Sequence, residues 1–442
     1  MIHWDLTSKG CLCYFICMIL ATATLISFFA ISNVNADWTQ LSHDESHQAF
    51  TSEIVEEHEL KWIIELRKAN QSDIITSPII YKGHVIMATY QSLFVLDLET
   101  GKELWNFSSE HTVFDTPAVA EDIIVVPTWG GNTYGISIEG ELLWERSIFS
   151  SVPTIHEGRV YLSGFSAIHC VNIHDGKDIW KYEIEGPGTP AIWNEKVIFG
   201  TNKNGTLYAI HKDNRALLWS YPIPEDDGIW GVPVVADERV FFSTFRWVDH
   251  ETIAGRLTAL DTDGSFLWDY HLDDSTPGAP SVAYETVFFG TVDWTDNKRD
   301  DLQVVALNSI DGSVVWTLEG YRTEATLAIS DGKVYFPVVQ SDDRFVLFVA
   351  HANTGNKFWE YDCENNPGTI SIFSSPAIAD GTLVVGGIGS EVIAIGSNPG
   401  NGNNSNDEGW TFFEKGFTLF IVMFLSTAVL YYVTTKAFEK KK

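Results

Sequence analysis

Between residues 60 and 397 the chain alternates short apolar runs with turn residues, and the alternation keeps a beat. "VLDLETGKELW" (95–105) is followed by "GISIEGELLW" (135–144) and "VNIHDGKDIW" (171–180). Each has an apolar run, a glycine turn and a tryptophan four residues after the glycine. Following that tryptophan gives Trp62, Trp105, Trp144, Trp180, Trp219, Trp268, Trp316 and Trp359, spaced 43, 39, 36, 39, 49, 48 and 43 residues apart. Gly101, Gly140, Gly176, Gly264, Gly312 and Gly355 precede six of the last seven, and Arg215 takes that place in "KDNRALLW". Self-similarity at a period of about 40 residues is the mark of a repeat architecture.

A second landmark keeps the same period. A short run with proline or a small residue near its start reads "SPII" (77–80), "TPAV" (116–119), "VPTI" (152–155), "TPAI" (189–192) and "VPVV" (232–235). It recurs as "APSV", "TLAI" (326–329) and "SPAI" (375–378). Behind it come a β-rich run such as "VIFG" (197–200), a third such as "LYAI" (207–210), and last the tryptophan run, with turns such as "DTDG" between them. Four short antiparallel strands in about 40 residues make one propeller blade. Eight first strands and eight tryptophan strands are present, offset by one. The chain opens on a tryptophan strand, "LKWIIEL" (60–66), and ends its last repeat at "EVIAI" (391–395) without one. The expected fold is therefore all-β: an eight-bladed β-propeller over residues 60–397, its ring closed by the N-terminal strand, which removes the open edge.

The pattern A-x-D-x-x-T-G-x-x-x-W, met here by Asp97, Thr100, Gly101 and Trp105 with Val95 for alanine, resembles the tryptophan-docking repeat of pyrroloquinoline-quinone (PQQ)-type propellers. That family includes quinoprotein dehydrogenases and the outer-membrane assembly lipoprotein BamB. The resemblance implies the eight-bladed fold over about residues 60–397; it does not choose a function, because one fold hosts many. Its dehydrogenases hold PQQ with calcium beside a pair of adjacent cysteines, and this sequence has no Cys-Cys dipeptide and no C-x-x-C-H haem motif.

Both ends carry apolar segments. Residues 11–32 are apolar, and "NVNADW" follows with Val34 and Ala36 at the small-residue positions of a cleavage site, so residues 1–36 read as a signal peptide or signal anchor. A polar N-terminal segment (37–59) leads to the propeller. After it come a flexible stalk (398–414), an uncharged run with Tyr431 and Tyr432 at its end, read as a transmembrane helix at 415–435, and a basic tail (436–442). Lys436 and Lys440 to Lys442 place that tail in the cytoplasm by the positive-inside tendency and the propeller outside it, a single-pass protein of the cell membrane. Asn70, Asn106, Asn204 and Asn403 begin N-x-S/T sequons, consistent with an exported surface.

Charge and chemistry narrow the function. A net charge of −31 argues against nucleic acid, which needs a basic footprint. Cys170 and Cys363, alone in the body of the chain, fall nearly opposite in an eight-blade ring and should stay unpaired. His174 and His211 sit in turns after third strands and read as surface residues. Asp293, Asp296, Asp300 and Asp301 crowd one loop but lack the calcium-loop pattern of glycine and terminal glutamate. No nucleophile–base–orienter set assembles, so no catalytic residue, cofactor or metal is expected.

Four tryptophans remain outside the repeat positions and on one face. Trp129, Trp247 and Trp294 fall between second and third strands, and Trp230 lies in a connection between blades. In a four-stranded antiparallel blade those two kinds of loop emerge together, joined there by Arg246 and Arg322. Aromatics and arginine are what binding hot spots use, and blades five and six have the longest repeats. The expectation is a non-catalytic membrane-tethered scaffold that docks a protein segment or an extracellular polymer on that face. The competing class is a quinoprotein-like or calcium-dependent enzyme with a degenerate PQQ site.

Overall fold

The computed structural model describes residues 37–397 apart from 67–75, 90, 114, 203–204, 224–227, 230, 248–252, 273–278, 292–301, 341–344, 363–370, 373 and 389–390. The leader, the stalk, the 415–435 segment and the tail lie outside the described residues, as do Cys363, the aspartate loop and three of the four sequons. Among the described residues no helix is long and apolar enough to cross a membrane.

Eight antiparallel sheets follow one another along the chain. Blade one is Ile79–Tyr81, His84–Thr89, Ser92–Asp97 and Glu103–Ser108, hydrogen-bonded in that order, and blades two to seven repeat the scheme. In blade eight Ala377–Ala379, Thr382–Ile388 and Glu391–Gly396 are completed by Glu59–Glu65, whose Glu59 pairs with Gly396 and Glu65 with Glu391. The one-strand offset in the sequence is thus resolved as ring closure. Second and third strands are buried on both faces, as in Ile123–Pro127, which is why they read as unbroken apolar runs. First hairpins turn on left-handed pairs such as Glu121 and Asp122 or Asp237 and Glu238, the mirror-image turn that matches strand twist.

The repeat motif resolves into two devices. Asp97 Oδ1 accepts the Thr100 amide at 2.8 Å and its hydroxyl at 2.6 Å, and the Gly101 amide donates to Asp97 O at 2.9 Å, which closes the turn into the outer strand. The tryptophan pins neighbouring blades: Nε1 of Trp62 donates to Leu98 O (2.9 Å), Trp105 to Ile138 O (2.9 Å), Trp144 to Ile173 O (2.6 Å) and Trp180 to Lys212 O (2.8 Å). Trp219 likewise reaches Thr262 O (2.9 Å), Trp268 reaches Ser309 O (3.1 Å) and Trp316 reaches Ala352 O (2.8 Å). Trp359 differs in having the His58 ring against it, centroids 5.2 Å apart.

Each motif glycine serves the pin of the preceding blade. A Cβ on Gly101, Gly264 or Gly312 would stand 2.7, 2.6 or 2.7 Å from the ring of Trp62, Trp219 or Trp268. Their φ values of +68°, +85° and +72° lie where L side chains are strained; Arg215, in the equivalent place, takes the same left-handed conformation at +60°. Cys170 is buried and unpaired in the third strand of blade three, its thiol pushed up to about 12 by burial.

The segment 37–58, polar in sequence, is buried or half-buried over most of its length and travels round the ring axis. The innermost strand of each blade is a sheet edge facing that axis, with amides to satisfy. Trp38 O accepts the Ile80 amide of blade one (2.8 Å), and Thr39 O the Val119 amide of blade two (2.8 Å). Gln40 Oε1 accepts that of Ile155 in blade three (2.9 Å). Glu45 O then takes Ile192 (2.7 Å), Ser46 O takes Val235 (2.9 Å), Gln48 O takes Val282 (2.9 Å) and Ala49 O takes Ile329 (2.8 Å). Each amide belongs to the last residue of the "SPII"-type motif, so the coil reads the same position in seven blades in order. Left-handed Ser42, His43, His47 and Ala49 give it the necessary curl. Phe50–Thr51 then pairs in parallel with Ile329 and Ser330 before the chain leaves for blade eight.

Candidate interaction face

The coil lies toward the end of the axis where first and second strands turn: Asp37 Oδ1 accepts the amide of Lys82, and His156 Nδ1 stands 3.2 Å from Glu45 Oε1. The opposite face carries the loops between second and third strands and the connections between blades. There the tips of blades two and three are fixed by their own backbones. Thr128 N–H and Oγ1 both reach Asn132 O (3.0 and 2.6 Å), Asn132 Nδ2 donates to Glu145 Oε1 (2.6 Å), and Trp129 N–H donates to Thr112 O (2.7 Å). In the next blade Gly164 N–H donates to Ala167 O (2.8 Å), and Phe165 O accepts the amide of Gly186 (2.9 Å).

On these tips stand Trp129, 61% exposed, and Phe165, 73% exposed, the two most exposed large apolar side chains among the described residues. Phe165 stacks on Phe149, centroids 4.1 Å apart and planes 15° apart, so it is held up and not left loose. Leaving a phenylalanine in water forgoes roughly 1.5–3 kcal/mol of burial. Fixed, exposed aromatics on closed loops are what a preorganised binding surface needs.

The other sequence candidates divide. Trp230 and Trp294 lie outside the described residues. Trp247, expected in a loop, is the last residue of the nine-residue strand Arg239–Trp247, paired with Ile253. The apolar runs "FFSTF" and "LTAL" carry the ladder past the usual length, so much of the extra length of blade five goes into strands. Arg246 sits half-buried in that ladder opposite Ala254. Arg322 lies in the two-residue strand Tyr321–Arg322 against Gln340 and Val339, and its Nη2 is 2.5 Å from Glu324 Oε1. The described positions thus put Trp129 on a loop tip and the two arginines in ladders. Phe165 and Phe149 were missed: one phenylalanine in "GFS" has no repeat signal, and only the alignment of blades puts it beside the tip of blade two.

Asp115, in the connection from blade one to blade two, is pushed up to about 6 by burial. A carboxyl whose folded pKa is raised above its ordinary 3.8 contributes stability below 3.8 that is lost as pH rises through about 6. Asp115→Asn should therefore raise the melting temperature at about pH 7.5 and leave it nearly unchanged at about pH 4; an equal rise at both would mean that ionisation is not the cause.

Elsewhere Glu195, His211 and Asp213 converge near the opposite face. One polar atom of each is engaged: Asp213 Oδ1 is 2.7 Å from Arg159, Glu195 Oε1 is 3.5 Å from Lys212, and His211 Nδ1 accepts the Asp213 amide at 3.1 Å. Each carboxylate faces a cation, Arg159 or Lys212. His174 is exposed with Nε2 2.9 Å from Glu121, a surface residue as expected.

Eight four-stranded blades, a closing N-terminal strand and tryptophan pins across seven seams define a PQQ-repeat propeller. The family described as outer membrane protein assembly factor BamB matches residues 56–221, 203–337 and 299–408, and the chain belongs to it. Among solved structures, BamB from Moraxella catarrhalis is similar over 77% of this chain and all of its own, at 15% identity and a TM-score of 0.58. A quinohemoprotein alcohol dehydrogenase from Pseudomonas putida HK5 is similar over 82% of this chain and 80% of its own, at 11% identity and a TM-score of 0.60. At these identities the likeness is one of fold. A tetrathionate hydrolase of Acidithiobacillus ferrooxidans is 22% identical over 219 residues, 42% of this chain and 41% of that protein, so the match spans about two fifths of the curated relative.

Proposed function

We propose that this protein is a membrane-anchored, extracytoplasmic propeller that acts as a protein-binding or envelope-assembly scaffold. The observation that carries the reading is the pair of exposed aromatics, Trp129 and Phe165, on hydrogen-bonded loop tips of one face. The family description, an assembly factor, supports it. The dehydrogenase neighbour supports the competing enzyme reading equally well at the level of fold, so the choice rests on the site. The carboxylate–histidine cluster is held by Arg159 and Lys212, and the sequence has no adjacent cysteine pair.

Two measurements test the proposal. A photo-crosslinking residue at position 129 should capture a discrete polypeptide in the native envelope, while one at Asp263 on the opposite face should not. Adding PQQ and calcium to the purified protein should leave its melting temperature unchanged. A saturable rise would replace the scaffold with a cofactor enzyme; equal capture from both faces would remove the loop face as the docking surface.

A further inference from the structure

We infer that the aromatic patch of blades two and three docks an extended cationic segment of a protein partner, one bearing arginine. The inference rests on the scaffold reading and names its partner by chemistry. The connections that surround the patch, residues 109–117, 128–132, 147–153, 164–166 and 184–190, contain Glu110, Asp115 and Glu185 and not one lysine or arginine. Glu110, Glu145, Glu183 and Glu185 are exposed around it. Among the described residues Lys181 is a nearby cation, and it is paired with Glu183 at 2.8 Å. Apolar rings standing in an acidic field are matched by a side chain that is cationic and flat. A guanidinium stacks on the face of tryptophan or phenylalanine while its N–H groups serve carboxylates, which a lysine ammonium does less well.

A backbone-fixed patch also suits an extended ligand. The two tips lie on adjacent blades, each closed by its own turn bonds, so neither must be ordered on binding. An anionic polymer would meet Glu110, Glu145, Glu183 and Glu185 and be repelled.

The test uses the full-length protein in detergent, with nonaarginine and nonalysine peptides as probes. A chain of net charge −31 attracts any cation, so charge alone predicts equal binding of both peptides. The inference expects nonaarginine to bind more tightly. It expects Trp129→Ala/Phe165→Ala, which leaves the charge untouched, to weaken nonaarginine by about tenfold and nonalysine by less. Replacing Glu110, Glu145, Glu183 and Glu185 with glutamine should weaken both. An unchanged nonaarginine affinity in the aromatic variant overturns the inference, as does no binding at all. Should position 129 still crosslink a polypeptide in that case, the scaffold reading stands and only the cationic partner falls.

Discussion

Joining the leader directly to Glu59, so that residues 37–58 are lost and the closing strand is kept, is expected to abolish cooperative unfolding or lower the melting temperature by about 10 °C or more. The coil satisfies inward amides in seven blades, from Ile80 to Ile329, and its Trp38, Ala49 and Val55 are buried against the ring. A buried amide without a partner costs about 1–3 kcal/mol, and seven of them would approach the whole stability of a typical domain, about 5–15 kcal/mol. Water admitted to the emptied axis would recover part of that loss, so the expected result is severe and not necessarily complete. Scanning calorimetry of the deleted protein reads it directly. A transition within about 3 °C of the parent would mean that the coil is an ornament on a self-sufficient ring.

The ring itself was legible because each blade writes its signature in local chemistry. The Asp97–Thr100–Gly101 turn and the following tryptophan are neighbours in sequence, and the eight-to-eight count with its offset left one way to close. The coil was not legible, and the reason is physical. Gln40, Ser42, Ser46 and Gln48 have no apolar period, since the surface they bury against is made only when all blades are assembled. Polar sequence reads as solvated unless the partners for its backbone are known.

The candidate face was legible in part for the same reason. Trp129 stands out as a tryptophan where the repeat needs none, and it is exposed on a loop tip. Phe165 carries no such mark. Trp247 was misplaced because strand length is set by where the ladder stops pairing, here at Ile253, and apolar runs can carry it beyond the repeat average.

Trp268→Ala is expected to destabilise the propeller by about 3–5 kcal/mol, the cost of emptying a buried indole site. The ring packs with Phe241, centroids 5.9 Å apart, and shares one buried cluster with Val287 and Val305 at the seam of blades five and six. Its loss also deprives Ser309 O of a donor at 3.1 Å. The sharper test is a cycle with Gly312→Ala, whose added Cβ would stand 2.7 Å from the same indole at a φ of +72°. Alone, Gly312→Ala should be costly for two reasons, backbone strain of about 1 kcal/mol and the clash with the ring. In the Trp268→Ala background the clash is gone and the methyl enters the vacated space, so only the strain remains. The two changes should therefore be less than additive by at least about 1 kcal/mol. Strict additivity in denaturant unfolding would mean that glycine and tryptophan act separately, and that the motif glycine is there for its turn alone. A coupling of the expected sign makes the glycine of one blade the seat for the pin of the blade before it.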